Sequence, residues 1–406
     1  MKIYMKSKRM SEFGRIVKRI ESSDDSSVEI TIAKGVPVFQ DRATWLAAIS
    51  DYYKSEFGRD VILANPESVK MGASINNPVV VNDISIKMHS SLYTVFKYTE
   101  ENISLIVDKY KKWIMSNIVL EEGLLQTFAW SLYEVMDNVF QHSGADYGYV
   151  SMQYHVSSKR LNIAVTDIGK GIIRSMSEGV GVADSKVDSG IFMDYFSKGE
   201  YGKIIKYAVN KGVTSKGNRN KGMGLYGLTE SVRRNGGTFM IDSGKGAYEN
   251  NKAKAEPIDT HNFGKSPIEF KNRDNDVKYL TCVNWSLDVS KPVRMSSILN
   301  IDYISDETDE YYDEDLQGHV IHMHQYAANV ATRNGGTKIS NIIGNLVNDG
   351  AEYVVLDFES IDVISSSFAD EIIKAEILYH RKIFFMNQND DIDLVLKYAR
   401  NDRKKI

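Results

Sequence analysis

The sequence predicts an α/β protein of more than one domain, and three observations carry that expectation. Segments with apolar residues at steps of three or four alternate with short runs patterned at every second residue. Two such runs, 148–154 and 161–167, are separated by the polar turn Ser157-Ser158-Lys159-Arg160, the mark of a hairpin. Finally, 406 residues exceed the roughly 250–300 at which a single core stops growing.

Taken in order, residues 1–90 read as a small α/β region. Val28-Glu29-Ile30-Thr31-Ile32 alternates like a strand, and from Arg42 to Phe57 the residues Trp45, Ile49, Tyr52 and Tyr53 gather on one helical side. No chemical constellation stands out there, and an input or dimerisation role is the plain expectation. Residues 91–292 form the next domain. A helical pattern runs from Ser90 to Tyr110 through Leu92, Val95, Phe96, Ile103 and Ile106. A stronger helix follows from Glu121 to His142, with Leu125, Phe128, Leu132, Val135 and Val139 as its core face. After the hairpin, residues 173–221 are polar and glycine-dotted, with one short helix expected near 201–210. A connection this long predicts a functional lid. A helix over 224–235 ends at Gly236-Gly237, a strand follows at 238–241, residues 244–275 read as an insertion, and Tyr279–Val289 is the last strand. The acidic stretch within residues 293–315 reads as a solvated linker. In residues 316–406, strands and helices alternate: 320–324, 338–347, 353–358, 368–379, 382–386 and 391–398.

Composition narrows the function classes. The chain is 42% hydrophobic and 26% charged, which is ordinary for a soluble protein, and its net charge of -4 offers no clear nucleic-acid signal. The lone Cys282 excludes an internal disulfide and a Cys-rich zinc site. No apolar run reaches the roughly 18–20 residues of a membrane span, and no apolar stretch follows the basic start, so a cytoplasmic protein without membrane contact is expected.

Three short segments carry the chemistry. In Glu134-Val135-Met136-Asp137-Asn138-Val139-Phe140-Gln141-His142-Ser143, Glu134, Asn138 and His142 recur at steps of four and share one helical stripe. The carboxamide of Asn138 can hold a hard cation such as Mg²⁺, and Glu134 can orient or deprotonate an attacking water or hydroxyl. In Asp167-Ile168-Gly169-Lys170-Gly171, the hairpin delivers a carboxylate just before two glycines that let a ligand approach the backbone. In Lys221-Gly222-Met223-Gly224-Leu225, glycines precede a helix whose first N–H groups can receive phosphate, with Lys221 to neutralise charge. Taken singly, each has an ordinary reading: a polar helix face, a turn, another turn. Their fixed order is what points to a nucleotide whose base, metal and phosphates are all held.

Together the three segments resemble the GHKL superfamily of Bergerat-fold ATP-binding domains: gyrase, the large heat-shock chaperones, MutL, histidine kinases and the anti-sigma-factor serine kinases. The resemblance covers residues from about 95 to 290. It implies a two-layer α/β sandwich, a mixed sheet with helices on one face. It further implies that Glu134 is the general base, Asn138 the Mg²⁺ ligand, and Asp167 the acceptor for the adenine amino group. Thr238 or Thr281 would supply a hydroxyl near adenine, and Thr214-Ser215-Lys216 would end the lid.

The stretch from Val354 to Glu371, with Arg333 upstream, resembles the STAS-like domains related to anti-sigma-factor antagonists. That likeness places Ser366 at the phosphoacceptor position, although Ser365 and Phe368 stand where the family has Asp and Gly. Helix capping by Ser367 and Asp370 is the plain alternative.

Three functions remain open at this stage. One is an Mg·ATP-dependent regulatory protein, a slow ATPase whose lid closure signals to a protein partner through the STAS-like domain. Another is a serine/threonine kinase acting on a STAS-domain protein or on its own Ser366, and the third is a non-hydrolysing scaffold. A homodimer is compatible with each. A histidine kinase is disfavoured, because His89 lacks the acidic neighbour and Arg-Thr-Pro context of a phosphoacceptor.

Overall fold

The computed structural model describes residues 1–7, 10–80, 94–215, 222–250, 269–271, 276–300, 310–379 and 382–403. The chain is α/β with mixed sheets and divides into two compact units: Met1–Lys109 with Phe128–Asp288, and Tyr110–Thr127 with Val289–Ile406. No helix among the described residues is long and apolar enough to cross a membrane.

The first unit opens with β1 (Lys2–Met5), α1 (Met10–Glu21), β2 (Ser27–Ile32), α2 (Gln40–Phe57) and β3 (Asp60–Leu63). Its three strands are all parallel, in the order β1-β2-β3, with a helix in each crossover. Helix α2 stops at Gly58, whose left-handed φ of 62° lets its N–H bond back to the Lys54 carbonyl and the following Arg59 N–H to the Tyr53 carbonyl.

Next come α3 (Gly72–Asn76), β4 (Val79–Val80), β5 (Phe96–Tyr98), α4 (Ile103–Asn117), α5 (Leu124–Asn138), β6 (Gly148–His155), β7 (Arg160–Gly169), α6 (Gly171–Gly179), α7 (Ser189–Ser197), α8 (Tyr201–Ala208), α9 (Gly224–Asn235), β8 (Thr238–Ser243), β9 (Gly246–Asn250), β10 (Glu269–Lys271) and β11 (Val277–Asp288). A second, mixed sheet runs β4-β5-β6-β7-β11-β8-β9, with β10 also pairing to β11.

Helix α2 lies on one face of this second sheet, against β6, β7 and β11, and also touches β3. It is buried almost all round, so its polar residues are buried as well: Thr44 Oγ1 is 2.8 Å from Thr166 Oγ1, and Gln40 donates to Asn284. Trp45 and Phe13 pack edge to face at 4.8 Å between centroids. Three differences from the sequence reading follow. The break expected near residue 90 does not separate the two units, because the apolar core joins α1, α2 and the small sheet to β6, β7 and β11. The sheet carries helices on both faces rather than one, since α2 covers the face opposite α9. The helix expected over 90–110 begins only at Ile103. Phe96–Tyr98 is instead a strand, whose partner β6 outweighs its helical spacing, while His89 and Leu92 lie outside the described residues.

The segment expected to form a lid with one short helix holds three helices, α6, α7 and α8, around a small core of Met176, Val187, Phe192, Ile204, Tyr207 and Ala208. Of the expected insertion, 251–268 and 272–275 lie outside the described residues.

The second unit contains α10 (Met295–Leu299), β12 (Tyr312–Asp313), β13 (Gly318–His322), α11 (Arg333–Asn348), β14 (Val354–Asp357), α12 (Ser366–Leu378), β15 (Ile383–Met386) and α13 (Asp390–Arg403). Its sheet runs β12-β13-β14-β15, with β12 antiparallel and the others parallel. Buried Asn345 on α11 ties in the 115–120 segment, accepting from the Leu120 N–H at 2.7 Å and donating to the Met115 and Ile118 carbonyls. The described part of the expected linker is structured: Met295–Leu299 is helical, and Tyr312 pairs with His319.

Candidate functional site

One row of residues crosses the larger sheet of the first unit. Tyr98 on β5 stands opposite Gly148 on β6, Gly148 opposite Asp167 on β7, Asp167 opposite Thr281 on β11, and Thr281 opposite Ser243 on β8. Residues directly opposite across antiparallel strands present their side chains on one face. The neighbouring row, Tyr149, Thr166, Cys282 and Asp242, looks toward α2; Tyr149 donates to Asp51 there at 2.5 Å. Asp167 and Thr281 therefore face away from α2, to the side where α9 packs on β8 and β11. Gly148 has no room for a Cβ because the Tyr98 ring lies across it. The Tyr98 hydroxyl then reaches α5, donating to the Met136 carbonyl at 3.3 Å.

Helix α5 ends at Asn138 and continues as a π-helical turn over Val139–Ser143, closed by Gly144 with a φ of 65°. Such turns recur at functional sites because they redirect side chains within a helix. This turn presses on the Asp167–Gly171 segment: the Ser143 carbonyl accepts from the Lys170 N–H at 2.9 Å, and a Cβ on Gly169 would lie 2.5 Å from that same oxygen. At Gly171 the φ of 75° and the nearby Ser243 Oγ and Tyr279 explain the second glycine. Ser243 Oγ accepts from the Ile172 N–H at 2.9 Å and lies 2.9 Å from Thr281 Oγ1.

The first and third segments also meet. A Cβ on Gly224 would lie 2.5 Å from Glu134 Oε2, so the Glu134 carboxylate stands at the start of α9. No side chain caps that helix, which leaves the positive end of its dipole facing the carboxylate. Half-buried Asn138 is one turn beyond Glu134, Leu225 is half-buried in the first turn of α9, and Gly222 has a φ of 66° with its carbonyl accepting from Gly212 at 2.9 Å. Lys221, with Lys216, Arg219 and Asn220, lies outside the described residues. Ser215 joins the same helix stripe: its Oγ is 3.2 Å from His142 Nδ1 and 3.0 Å from Ser175 Oγ.

Burial sets the electrostatics. It pushes the Asp167 carboxyl up to about 7, opposed by a hydrogen bond with Ser143, and Asp167 Oδ1 has no partner among the described residues. Glu134 is raised by burial and then by nearby Asp137, which is itself raised by burial. Tyr98 is raised by burial and then by Asp167 and Asp137. An unpartnered buried carboxyl oxygen costs about 1–3 kcal/mol unless a ligand donor meets it. Beside the Gly171 turn a cavity of about 250 Å³ opens, lined by Lys170, Gly171, Arg174, Tyr201, Ser243 and Tyr279.

Of the sequence-predicted residues, the structure brings Glu134 and Gly224 together, and places Asn138 one turn beyond Glu134. Asp167, Gly169 and Gly171 gather beside the π-helical turn that ends the same helix. Thr281 lies beside Asp167, whereas Thr238 pairs with Ser286 farther along the sheet. Tyr98, Gly148, Ser143 and Ser243 were missed; a glycine opening a strand signals close approach and could have pointed to Gly148. In the second unit, Ser365 rather than Ser367 caps α12, accepting from the Phe368 N–H at 3.1 Å. Ser366 is the exposed first residue of that helix, and Arg333, on α11, pairs with Asp370 and Glu371.

Among known proteins, no family model, no curated protein and no solved structure matches this chain.

Proposed function

We propose that the chain is an Mg·ATP-binding regulatory protein of the GHKL type that hydrolyses ATP slowly and signals through lid closure to a protein partner. The observation that carries this reading is the meeting of three sequence-distant segments on one side of one sheet: a buried carboxyl with a free oxygen, a carboxylate–carboxamide stripe, and an uncapped helix start at Gly224. Asp167 would accept the amino group of adenine, with Thr281 beside it. The N–H groups of Gly224 and Leu225 would receive phosphate. Glu134, raised by burial, would take the proton of the attacking water.

No group of three His, Cys, Asp or Glu suited to a metal is found among the described residues. That fits Mg²⁺, which takes one or two protein ligands and completes its shell with phosphate and water. Asn138 would be its protein ligand, and the ion would neutralise charge on the phosphates.

A serine/threonine kinase is the second reading, favoured by one observation: Ser365 takes the capping role, so the hydroxyl of Ser366 is left exposed. Incubation with γ-labelled ATP separates the two. Free phosphate with unlabelled protein, lost in Glu134→Ala, supports the ATPase. Acid-stable label absent from Ser366→Ala supports the kinase. Binding without turnover in either assay leaves a scaffold and overturns both catalytic readings.

A further inference from the structure

The cavity of about 250 Å³ beside the Gly171 turn lies on the same sheet as Asp167 but outside its pocket. Asp167, Thr281 and Ser243 stand in line on β7, β11 and β8, and of the three only Ser243 lines the cavity. Two strand spacings put Ser243 roughly 10 Å from Asp167. The Gly171 turn runs along the same boundary, pinned by the Ile172 N–H to Ser243 Oγ at 2.9 Å.

The walls are aromatic. Tyr279 is fixed between two glycines: an added Cβ would come within 3.2 Å of its side chain from Gly171 and within 2.9 Å from Gly244. Phe196 meets Tyr201 edge to face at 6.1 Å between centroids, and the Lys245 ammonium stands 6.0 Å from the Tyr201 ring centre. A cavity of about 150 Å³ takes up benzene, so one of this volume has room for two fused rings.

The charge in the walls is positive. Lys170, Arg174 and Lys245 line the cavity, and no carboxylate does among the described residues. Their partners lie outside it. Glu178 holds Lys170 at 2.5 Å and Arg174 at 3.3 Å, and Asp276 holds Arg174 at 2.9 Å. Glu269 stands 3.6 Å from Lys245, beyond hydrogen-bond range. These carboxylates are 38–51% exposed, so water screens the pairs, and the cations keep N–H groups for a further anion.

We propose that this cavity is a second ligand site, for a one- or two-ring aromatic molecule bearing one carboxylate or phosphate group. Tyr201, Tyr279 and Phe196 enclose the ring, and Lys245 and Arg174 receive the anion. The site stands independently of the nucleotide reading.

Ligand-observed NMR titration with 2-naphthoate, 2-naphthyl phosphate and the neutral 2-naphthol tests this. At least one of the two anions should bind saturably with a Kd of about 1 mM or tighter, and the tighter of the two tells a carboxylate from a phosphate ligand. Binding should weaken at least about tenfold in Lys245→Glu, an exposed turn position whose fold circular dichroism checks, and in Tyr201→Ala. 2-Naphthol should bind more weakly than the anion by a similar factor, and Mg·ATP should not displace the anion. Absence of saturable binding by both anions overturns the proposal, as does unchanged affinity in folded Lys245→Glu. Equal binding of 2-naphthol removes the role of the cations and overturns it too. Displacement by Mg·ATP puts the ligand in the nucleotide's place and overturns the separate site.

Discussion

Glu134 and Gly224, ninety residues apart in sequence, touch: a Cβ at Gly224 would stand 2.5 Å from Glu134 Oε2. The atom in the way is the end of a flexible side chain, so an added methyl moves Glu134 rather than the backbone. Gly224→Ala should therefore leave unfolding free energy within about 0.5 kcal/mol of wild type. With Glu134 as the proposed base, displacing it by a fraction of an ångström should lower the proposed ATP turnover by about 10–100-fold. Denaturant unfolding beside a phosphate-release assay checks both, and an unchanged turnover contradicts the role given to this contact.

Gly148 meets a less forgiving neighbour. Its missing Cβ is replaced by the buried ring of Tyr98, which has nowhere to go. Gly148→Ala should cost about 1–3 kcal/mol by overpacking. Tyr98→Phe, which only removes the bond to the Met136 carbonyl, should cost about 0.5–1.5 kcal/mol. Urea denaturation of the two variants gives the order directly.

The legible and illegible parts of the site differ in how local they are. Glu134 and Asn138 could be read because four residues on a helix fix their common side, and Asp167 because its strand runs into two glycines. Thr281 could not be separated from Thr238, since the choice depends on the register of β11 against β7, a long-range pairing. Tyr98 was hidden for the same reason, its segment having helical spacing and a strand's partner. In the fold, residues 1–90 read as a region of their own because nothing local in α2 announces its long-range partners; Gln40, Thr44 and Asp51 are bonded to the back of the sheet.

That attachment makes a prediction. Trp45 is wholly buried between α1 and the back of the sheet, so Trp45→Ala should cost about 3–5 kcal/mol. Hydrogen exchange should then show β2 and β7 losing protection together. Loss confined to residues 1–76 would mean that the small sheet opens independently.

Asp167 and Asp242 both have carboxyls pushed up by burial to about 7 from an unfolded value of 3.8. Between those values the folded protein holds protons that the unfolded chain has lost. Stability is then full below the unfolded value and declines as pH rises toward 7, by up to about 1.4 kcal/mol per pH unit for each group. Asp167→Asn should remove about half of that slope between about pH 4 and 7. An unfolding series across that range that shows equal slopes in the variant and wild type contradicts the burial account.

The central claim is that Asp167 holds the base of a nucleotide, and direct titration of Mg·ATP into the wild type and Asp167→Ala tests it most simply. Saturable binding at one site per chain, lost in Asp167→Ala and not reproduced by Mg·GTP, is the expected result. Absence of binding to the folded wild type at about millimolar Mg·ATP, or equal binding by Asp167→Ala, would contradict it.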